Sequence, residues 1–445
     1  MSYVSNTDKQ RREMLAAIGV ESIDDLFADI PEELRSGPLN LPPGRSEMHV
    51  MRLMHELSER NAAHLVSFLG AGFYDHYIPA AVDALLRRGE FYTPYTPYQP
   101  EASQGTLQAI YEYQTAICRL TGLDAANASL YDGGTALYEA AMMALRVTGR
   151  NKILLDSGVN PIYRNMLHCY TSNLHIDFVE VPAVHGQTQR EVVGEYLDEE
   201  TAAIVVQNPN FFGAIDDHSD VVEMAHAVGA LAVMSTYPIS LGLLKPPGEM
   251  GVDIATGEGQ SLGLPLSFGG PYLGYMACRK DLIRQMPGRI VGATQDAAGR
   301  RGFVLTLQTR EQHIRRERAT SNICTNESLC ALAAVVYLTV VGKHGLREVA
   351  RTCADKAEYA RRRIEAIPGV SVKRDAPTFN EFAVELPADA AEVAGAMTEK
   401  GFAAGFPLGR YYPGMERYLL VAVTERRTKE EIGRFSEALE GVLWN

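Results

Sequence analysis

The segment from about residue 65 to residue 320 alternates short β-branched stretches with helical stretches, and this alternation limits the possible fold more than any other feature. The strand-like stretches are KILLD (152 to 156), HIDFVEV (175 to 181), AAIVVQ (202 to 207), ALAVMS (230 to 235), DIATGE (253 to 258), YLGYMAC (272 to 278) and FVLTLQ (303 to 308). Strands that alternate with helices form parallel βαβ units, whose ligands bind beyond the carboxyl ends of the strands. We therefore predict an α/β fold with a mainly parallel sheet.

Two further regions flank this segment. Residues 1 to 62 contain three helical stretches, at 8 to 18, 23 to 28 and 46 to 60. The segment SGPLNLPPGR, which lies between the last two, cannot be helical. Short helices of this kind bury no core alone, so we predict an N-terminal helical arm that lies on another surface. Long helices and two strands follow residue 327 and predict an α+β small domain. The predicted domains are 1 to 62, 63 to 326 and 327 to 445.

Charge and composition exclude several classes of function. The formal net charge of -13 disfavours binding to nucleic acid or to an anionic membrane. No run of 18 apolar residues predicts a membrane span, and the N-terminal sequence has no apolar signal region, so we expect a cytoplasmic protein. The six cysteines form no CxxC pair and predict reduced thiols rather than disulfides, and no pattern of metal ligands is found.

One glycine-rich turn is a candidate anion site. Asp132, Gly133, Gly134 and Thr135 follow the stretch ASLY and open the helical stretch LYEAAMMALRVTG. Glycines at the start of a helix let backbone N–H groups approach a phosphate at the positive end of the helix dipole. An aspartate that caps the helix, with glycines in a tight turn, explains the same residues without a ligand.

A second candidate is the tract FYTPYTPYQPEASQ at 91 to 104, in which tyrosines alternate with prolines. Proline fixes the backbone and tyrosine carries a polar group on a rigid ring, which suits a cleft or an interface. The alternative is a loop whose rings pack on their own domain.

The third candidate is the arginine-rich tract QTREQHIRRERATSNICT at 308 to 325. Its arginines and histidine can bind carboxylate or phosphate groups. The alternative is that the tract forms a solvated helix face.

Together these stretches resemble the glycine dehydrogenase (decarboxylating) family, the P-proteins of the glycine cleavage system, and in particular subunit 1 of the two-chain bacterial form. The resemblance covers nearly the whole chain and rests on SFLGAGFYDHYIPAAV, FYTPYTPYQPEASQGTLQAIYEYQTAICRLTG, NASLYDGGTALYEA, NPNFFGAIDD, SFGGPYLGYMACRK and QTREQHIRRERATSNICTN. It implies the aminotransferase-like fold of pyridoxal-phosphate enzymes (fold type I). It also implies glycine decarboxylation with pyridoxal phosphate and transfer of an aminomethyl group to the lipoyl arm of the H-protein.

The resemblance also implies that this chain lacks the cofactor's chemical anchors. In the catalytic subunit of the family, a strand with a sequence similar to YDGA ends in the aspartate that keeps the pyridine nitrogen protonated. The matching stretch in this chain is LAVMSTYP, so Ser235 stands in the place of that aspartate. IATGEGQSLGLP replaces the stretch similar to HLNLHK, so Ser261 stands in the place of the Schiff-base lysine. No lysine lies between Lys245 and Lys280, both of which we expect on the surface. We expect pyridoxal phosphate on a lysine-bearing partner subunit, and no covalent cofactor here.

Enzymes of this fold build active sites between subunits, so the chain is expected to complete the partner's site. The candidate lining residues are Tyr92, Tyr95, Tyr98, Gln99, Glu101, Ser103, Gln104, Phe268, Gly269, Gly270, Arg310, His313 and Arg316. The glycine-rich turn is then a vestigial phosphate turn. Expected partners are the second subunit, in a heterodimer or a dimer of heterodimers, the H-protein and glycine. An independent pyridoxal-phosphate enzyme with a displaced lysine, and a purely structural or regulatory partner, are the alternatives.

Overall fold

A computed structural model of the chain describes residues 5–37, 39–184, 187–267, 269–372 and 376–444. The chain forms two compact units, Met1–Ala63 and His64–Asn445. Each unit is described separately below.

The first unit contains two α-helices in its described part. Helix α1 spans Asp8–Ile18 and begins with a capping box between Thr7 and Gln10, and α2 spans Glu47–Glu59 with Ser46 as its N-cap. Neither helix contains a buried residue. The described part of this unit therefore has no core of its own, although α2 carries the large apolar side chains of Met48, Val50, Met51, Leu53, Met54 and Leu57, all of them exposed.

The helices and strands of the second unit alternate along much of its length. The helices are α3 Ala80–Leu86, α4 Gly89–Tyr92, α5 Gln104–Thr121, α6 Gly133–Thr148, α7 Pro161–Tyr170, α8 Arg190–Tyr196, α9 Ser219–Ala227, α10 Gln312–Arg315, α11 Ser328–Glu365, α12 Ala390–Glu399 and α13 Lys429–Trp444. The strands are β1 Val66–Ser67, β2 Ala125–Ala126, β3 Lys152–Asp156, β4 Asp177–Val181, β5 Ala183–Val184, β6 Gln187–Thr188, β7 Thr201–Asn208, β8 Leu231–Thr236, β9 Ile254–Glu258, β10 Gly274–Cys278, β11 Ile290–Gln295, β12 Arg301–Thr306, β13 Ser371–Val372, β14 Glu381–Glu385, β15 Phe402–Ala403, β16 Phe406–Pro407 and β17 Tyr418–Ala422.

Seven strands form one sheet in the order β2-β10-β9-β8-β7-β3-β4. The pairs β4–β3, β3–β7, β7–β8 and β8–β9 are parallel, and β10 is antiparallel to β9 and to β2. Alternate side chains enter different cores: Ala203 and Val205 pack with α6 and α7, whereas Ile204 and Val206 pack with α8 and α9. Burial on both faces explains the continuous apolar runs in the sequence. The predicted α/β fold with a mainly parallel sheet is confirmed.

One predicted strand has a different position. The stretch FVLTLQ at 303 to 308 was expected among the βαβ strands, but β12 pairs only with β11, in a two-stranded antiparallel hairpin. Two strands joined by a short turn pair most readily with each other, and periodicity in the sequence does not indicate which sheet a strand joins. The stretch ASLY before the glycine-rich turn contributes only a single bridge, between Leu130 and Gly274.

The C-terminal part contains a second sheet and a core of its own. Strands β13, β14, β17 and β16 form an antiparallel sheet, and β1 pairs with β15. Phe68, Phe402 and Phe435 pack together in the core of this region, so residues just after 63 belong structurally with the C-terminal sheet. The domain boundaries at 63 and 327 stay predictions.

Helix α11 contributes side chains to two of the cores of the second unit. Its first half is buried from Cys330 to Tyr337, and its regular geometry is interrupted at Gly342, which has φ 61° and ψ 179°. By length and composition alone it is apolar enough to cross a membrane. Its buried first half packs within the protein core, which is the usual explanation of such a helix.

The C-terminal core supplies a test of the packing. Leu419 on β17 is fully buried in that core, so Leu419→Ala is expected to lower the free energy of unfolding by about 2 to 5 kcal/mol, measured by urea denaturation. Leu174→Ala is the control, because Leu174 is 42% exposed, and its effect should stay within about 0.5 kcal/mol. Equal effects of the two substitutions would contradict this packing.

Candidate functional site

A small polar cavity lies at the carboxyl ends of β7, β8 and β9, where ligands bind in folds of this class. Gln207, Ser235 and Glu258 come from the ends of these three strands, and Tyr163 comes from α7. Its volume is about 30 Å³. Ligand pockets typically measure several hundred Å³, so this cavity has room for water rather than for a cofactor.

A buried carboxyl group closes one side of this cavity. Oε1 of Glu381 accepts from the Ala71 N–H at 2.6 Å, and Oε2 accepts from the Tyr74 hydroxyl at 2.8 Å. Burial raises the pKa of Glu381 to about 7, against the effect of these two donors. Beside it, Nδ2 of Asn380 is buried without a hydrogen-bond partner.

The glycine-rich turn begins α6, as predicted for a helix start. The Asp132 side chain accepts from the Thr135 N–H at 2.8 Å, and the Thr135 hydroxyl oxygen accepts from the Asp132 N–H at 3.1 Å. The N–H of Gly133 donates to Oε2 of Glu258 at 2.9 Å. The turn is therefore capped by its own side chains and contacts a carboxyl group from β9.

The two serines predicted from the resemblance have different surroundings. Ser235 lines the cavity, whereas Ser261 is buried outside its lining, with an Oγ that has no hydrogen-bond partner. Gln260 also lies outside the lining, but its Oε1 accepts at 3.0 Å from the N–H of Tyr74, which lines the cavity. The equivalence of Ser261 with the Schiff-base lysine stays a prediction.

An open groove of about 600 Å³ brings together parts of two sequence candidates. Tyr98, Gln99 and Glu101 of the tyrosine and proline tract line it together with His313 of the arginine-rich tract. These segments are more than 200 positions apart in the sequence, and the β11–β12 hairpin joins them by contributing Val304 and Leu305. Four of the predicted lining residues thus share one surface.

Arg289 organises the wall of this groove. Its guanidinium lies 3.9 Å from the centre of the Tyr98 ring, and its Nε donates to the Cys324 carbonyl at 2.8 Å. The same Nε lies 3.5 Å from Oε2 of Glu311. Oε1 of Glu311 is buried without a hydrogen-bond partner.

The tyrosines of the tract differ sharply in exposure. Tyr92 and Tyr95 are 69% and 87% exposed, whereas Tyr98 is buried and its hydroxyl donates to Oδ1 of Asn326 at 2.5 Å. Tyr98 therefore packs on its own domain, as the alternative interpretation of the tract predicts. Gln104 also serves this domain, because its side chain hydrogen-bonds both the N–H and the carbonyl of Phe303.

The remaining predicted residues lie outside the lining of the groove. The Arg310 guanidinium is buried and donates to the carbonyls of Met286, Gly288 and Leu307, so this arginine holds the local fold. Ser103 precedes α5, Arg316 is exposed with a φ of 52°, and Gly269 and Gly270 lie on a loop. Phe268 lies outside the described residues.

Sequence reasoning missed Glu258, Arg289 and Glu311. Arg289 is a single charged residue in a stretch without a motif, and Glu311 lies in the arginine-rich tract but was not singled out there; the folded chain brings the two together beside Tyr98. Glu258 is the last residue of the strand stretch DIATGE. An acidic residue at the carboxyl end of a buried strand is the sequence signal that could have indicated a site residue here.

The chain matches the family model for the glycine cleavage system P-protein over residues 1–439. Probable glycine dehydrogenase (decarboxylating) subunits 1 from Geotalea uraniireducens strain Rf4 and Nitratidesulfovibrio vulgaris strain Hildenborough are 58% and 57% identical to it over 443 residues, with 100% of both chains covered. The chain belongs to the glycine cleavage system P-protein family. A crystal structure of glycine decarboxylase (P-protein) in inhibitor-bound form matches with a TM-score of 0.93 and 46% identity, covering 100% of both chains. Sphingosine-1-phosphate lyase from Burkholderia pseudomallei K96243 matches at 16% identity, with a TM-score of 0.67 and coverage of 92% and 93%, which shows the fold alone.

P-proteins share the fold of pyridoxal-phosphate enzymes, but the residues around this chain's small cavity do not fit that cofactor. No lysine, arginine or histidine is among the described residues that line it. Lys245 and Lys280, the lysines nearest in sequence, are exposed, as predicted, and Lys245 pairs with Asp217. A group with a phosphate has neither the space nor a compensating charge in this cavity.

A separate cluster of three side chains lies near the cavity. His76, Cys353 and Glu425 place their potential ligand atoms within 4.8 Å of one another, so they could hold a metal ion. Oε2 of Glu425 lies 2.6 Å from Nδ1 of His76 and accepts from Cys353. Burial opposes ionisation of Glu425, but the bond to His76 lowers its pKa to about 2. Hydrogen bonds therefore satisfy the group without an ion, and the expectation of no metal stays a prediction.

The raised pKa of Glu381 makes the free energy of unfolding of the protein depend on pH. A carboxyl group whose folded pKa is about 7 contributes stability that is complete below its ordinary pKa of 4.5 and is lost as the pH rises through 7. The difference in unfolding free energy between wild type and Glu381→Gln should therefore fall by roughly 2 to 3 kcal/mol between pH 5 and pH 8.

Urea denaturation at several pH values measures this difference. Glu223→Gln is the control, because Glu223 is exposed on α9 and its curve should run parallel to that of wild type. A Glu381→Gln curve that is also parallel would mean that Glu381 titrates at its ordinary pKa.

Proposed function

We propose that this chain is the subunit without the Schiff-base lysine in a two-chain glycine decarboxylase in the cytoplasm. The complex decarboxylates glycine with pyridoxal phosphate and passes an aminomethyl group to the lipoyl arm of the H-protein. The observation that carries the proposal is a full-length match to subunit 1 of this enzyme in a chain whose own cofactor position is a cavity of about 30 Å³ without a cation. The cofactor is then bound by the partner, and this chain alone is inactive.

The open groove is the surface that this chain contributes to the partner's active site. It has the volume of a ligand site and combines aromatic, acidic and basic side chains from three separate segments. Tyr95 lies outside the groove lining but in the same tract, and its ring is 87% exposed, so it is free to contact another molecule. Tyr95 is the residue of the tract best placed to reach a partner.

The assembly follows from the exposed apolar surface. An arm without buried residues gains stability only when its apolar side chains are covered, and a subunit interface covers them. We expect an obligate interface well above the ~1,600 Å² of a standard one, with the two subunits in equal numbers as a dimer of heterodimers. Light scattering of the mixed subunits at micromolar concentration measures this, and two species that stay separate would refute it.

Two other functions make different predictions. An independent pyridoxal-phosphate enzyme requires a lysine that forms a Schiff base, and the isolated chain would then be coloured and would retain a borohydride-fixed lysine adduct. A purely structural partner is favoured by one observation, the bond of Tyr98 to its own Asn326. That reading requires that no residue of the groove affects turnover.

Reconstitution separates these functions. The chain is co-purified with the lysine-bearing partner, and exchange of the glycine carboxyl group with bicarbonate is assayed for each chain alone and for the mixture. We expect exchange from the mixture and none from this chain alone. Exchange by this chain alone, or a stoichiometric adduct on one of its lysines, would overturn the proposal.

Tyr95 and Tyr98 are expected to respond differently to loss of the hydroxyl group. Tyr95→Phe should leave the isolated chain unchanged and reduce turnover of the complex by the equivalent of roughly 1 to 3 kcal/mol, if its hydroxyl binds a charged group. Tyr98→Phe removes the bond to Asn326 and should lower the stability of the isolated chain by about 0.5 to 1.5 kcal/mol. Steady-state kinetics of the complex and thermal unfolding of the chain measure the two effects.

Tyr359→Phe is the control, because Tyr359 lies on α11 in the C-terminal core region, and it should be nearly silent in both assays. Unchanged turnover in both tract variants, with assembly intact, would favour the structural-partner function.

A further inference from the structure

The carboxyl group of Glu258 is held almost entirely by backbone N–H groups. Oε2 accepts from Gly133 at 2.9 Å, and Oε1 accepts from Gln260 at 3.0 Å and from Leu273 at 3.1 Å. The residue is 6% exposed. Three converging N–H donors are the coordination that proteins use for a bound anion.

These donors come from the part of the fold that holds ligands. Glu258 is the last residue of β9, at the carboxyl edge of the sheet, and Gly133 is the first residue of α6, a helix of 16 residues. The positive end of this helix faces the cavity wall that Glu258 forms. The carboxyl group thus occupies the position at which a ligand's anionic group would meet the helix.

The protein leaves no space for an anion beside the carboxyl group of Glu258. A Cβ atom on Gly133 would lie 2.7 Å from the Tyr163 hydroxyl and 2.9 Å from the Glu258 Cβ. A Cβ atom on Gly134 would lie 2.5 Å from Sδ of Met166. Side chains of the chain itself therefore cover the turn at van der Waals distance.

We infer that Glu258 is an internal ligand of the anion site at the start of α6, and that it closes this site to phosphate monoesters independently of the missing lysine. The inference rests on the proposed function only in treating the cavity as the counterpart of a cofactor pocket. A phosphate group would need the Gly133 N–H and the space that the carboxyl group fills, so the two exclude each other. Removal of the carboxyl group leaves a site for phosphate or a small carboxylate.

The first test adds a lysine while Glu258 is kept. The full chain with Ser235→Asp and Gln260→Lys, and a second with Ser235→Asp and Ser261→Lys, are incubated with pyridoxal phosphate and reduced with borohydride. Peptide mass spectrometry then locates any adduct. We expect none at the introduced lysine. A stoichiometric adduct there, with Glu258 present, would overturn the inference.

The second test removes the carboxyl group and supplies an anion. Glu258→Ala should lower the Tm, and phosphate or acetate should restore about 2 °C or more of that loss in a saturable way, relative to chloride at equal ionic strength. Glu139→Ala is the matched control: Glu139 is also buried and lies on α6, but its side chain accepts from the Ser321 hydroxyl and has no backbone donors in the structure. The control should be destabilised and not restored.

The two tests probe the role of Glu258 separately from the assembly of the complex. No greater recovery in Glu258→Ala than in Glu139→Ala would overturn the inference. If Glu258→Ala does not fold, the adduct test with Glu258 intact still decides. Both tests use the chain without its partner, so failure of the proposed function in reconstitution is a separate result.

Discussion

The parallel pairing of β7, β8 and β9 is the constraint on which the rest of the structure depends. Because the three strands run in the same direction, their last residues meet at one edge, where α6 and α7 begin. Side chains that are distant in the sequence then share a space of a few ångströms. The chemistry of that edge is decided by which residues happen to end the strands, and here they are an amide, small hydroxyl groups and an acid.

The contrast between the two sites follows from this geometry. The edge of the parallel sheet is filled by the chain's own polar groups, so its hydrogen bonds stabilise the subunit itself. The groove is built instead from loops and a hairpin at a different place, and it stays open to other molecules. A fold that once served to hold a ligand in such enzymes can serve as a wall when its polar groups satisfy one another.

Much of the fold could be predicted because apolar runs and helix signals are local. KILLD at 152 to 156 is a strand with those bounds, and α1 has the predicted bounds of 8 to 18. The partner of each strand is not local information, which is why β12 was placed in the wrong sheet. The residues of the site were harder to predict from the sequence than the strands. The contact of Gly133 with Glu258 spans 125 positions, and no pattern in either stretch indicates the other. Likewise, a tyrosine between prolines is equally suited to a buried or an exposed place, and only the packing of Arg289 distinguishes Tyr98 from Tyr95.

The bare N-terminal arm has a consequence for the life of the protein in the cell. Its helix α2 carries the exposed thioethers of Met48, Met51 and Met54 beside several aliphatic side chains. Until it is covered, such a surface attracts chaperones and proteases, and its methionines are open to oxidation to the sulfoxide, which would make the surface polar. Balanced synthesis of two subunits is therefore a requirement that this chain imposes through its N-terminal arm.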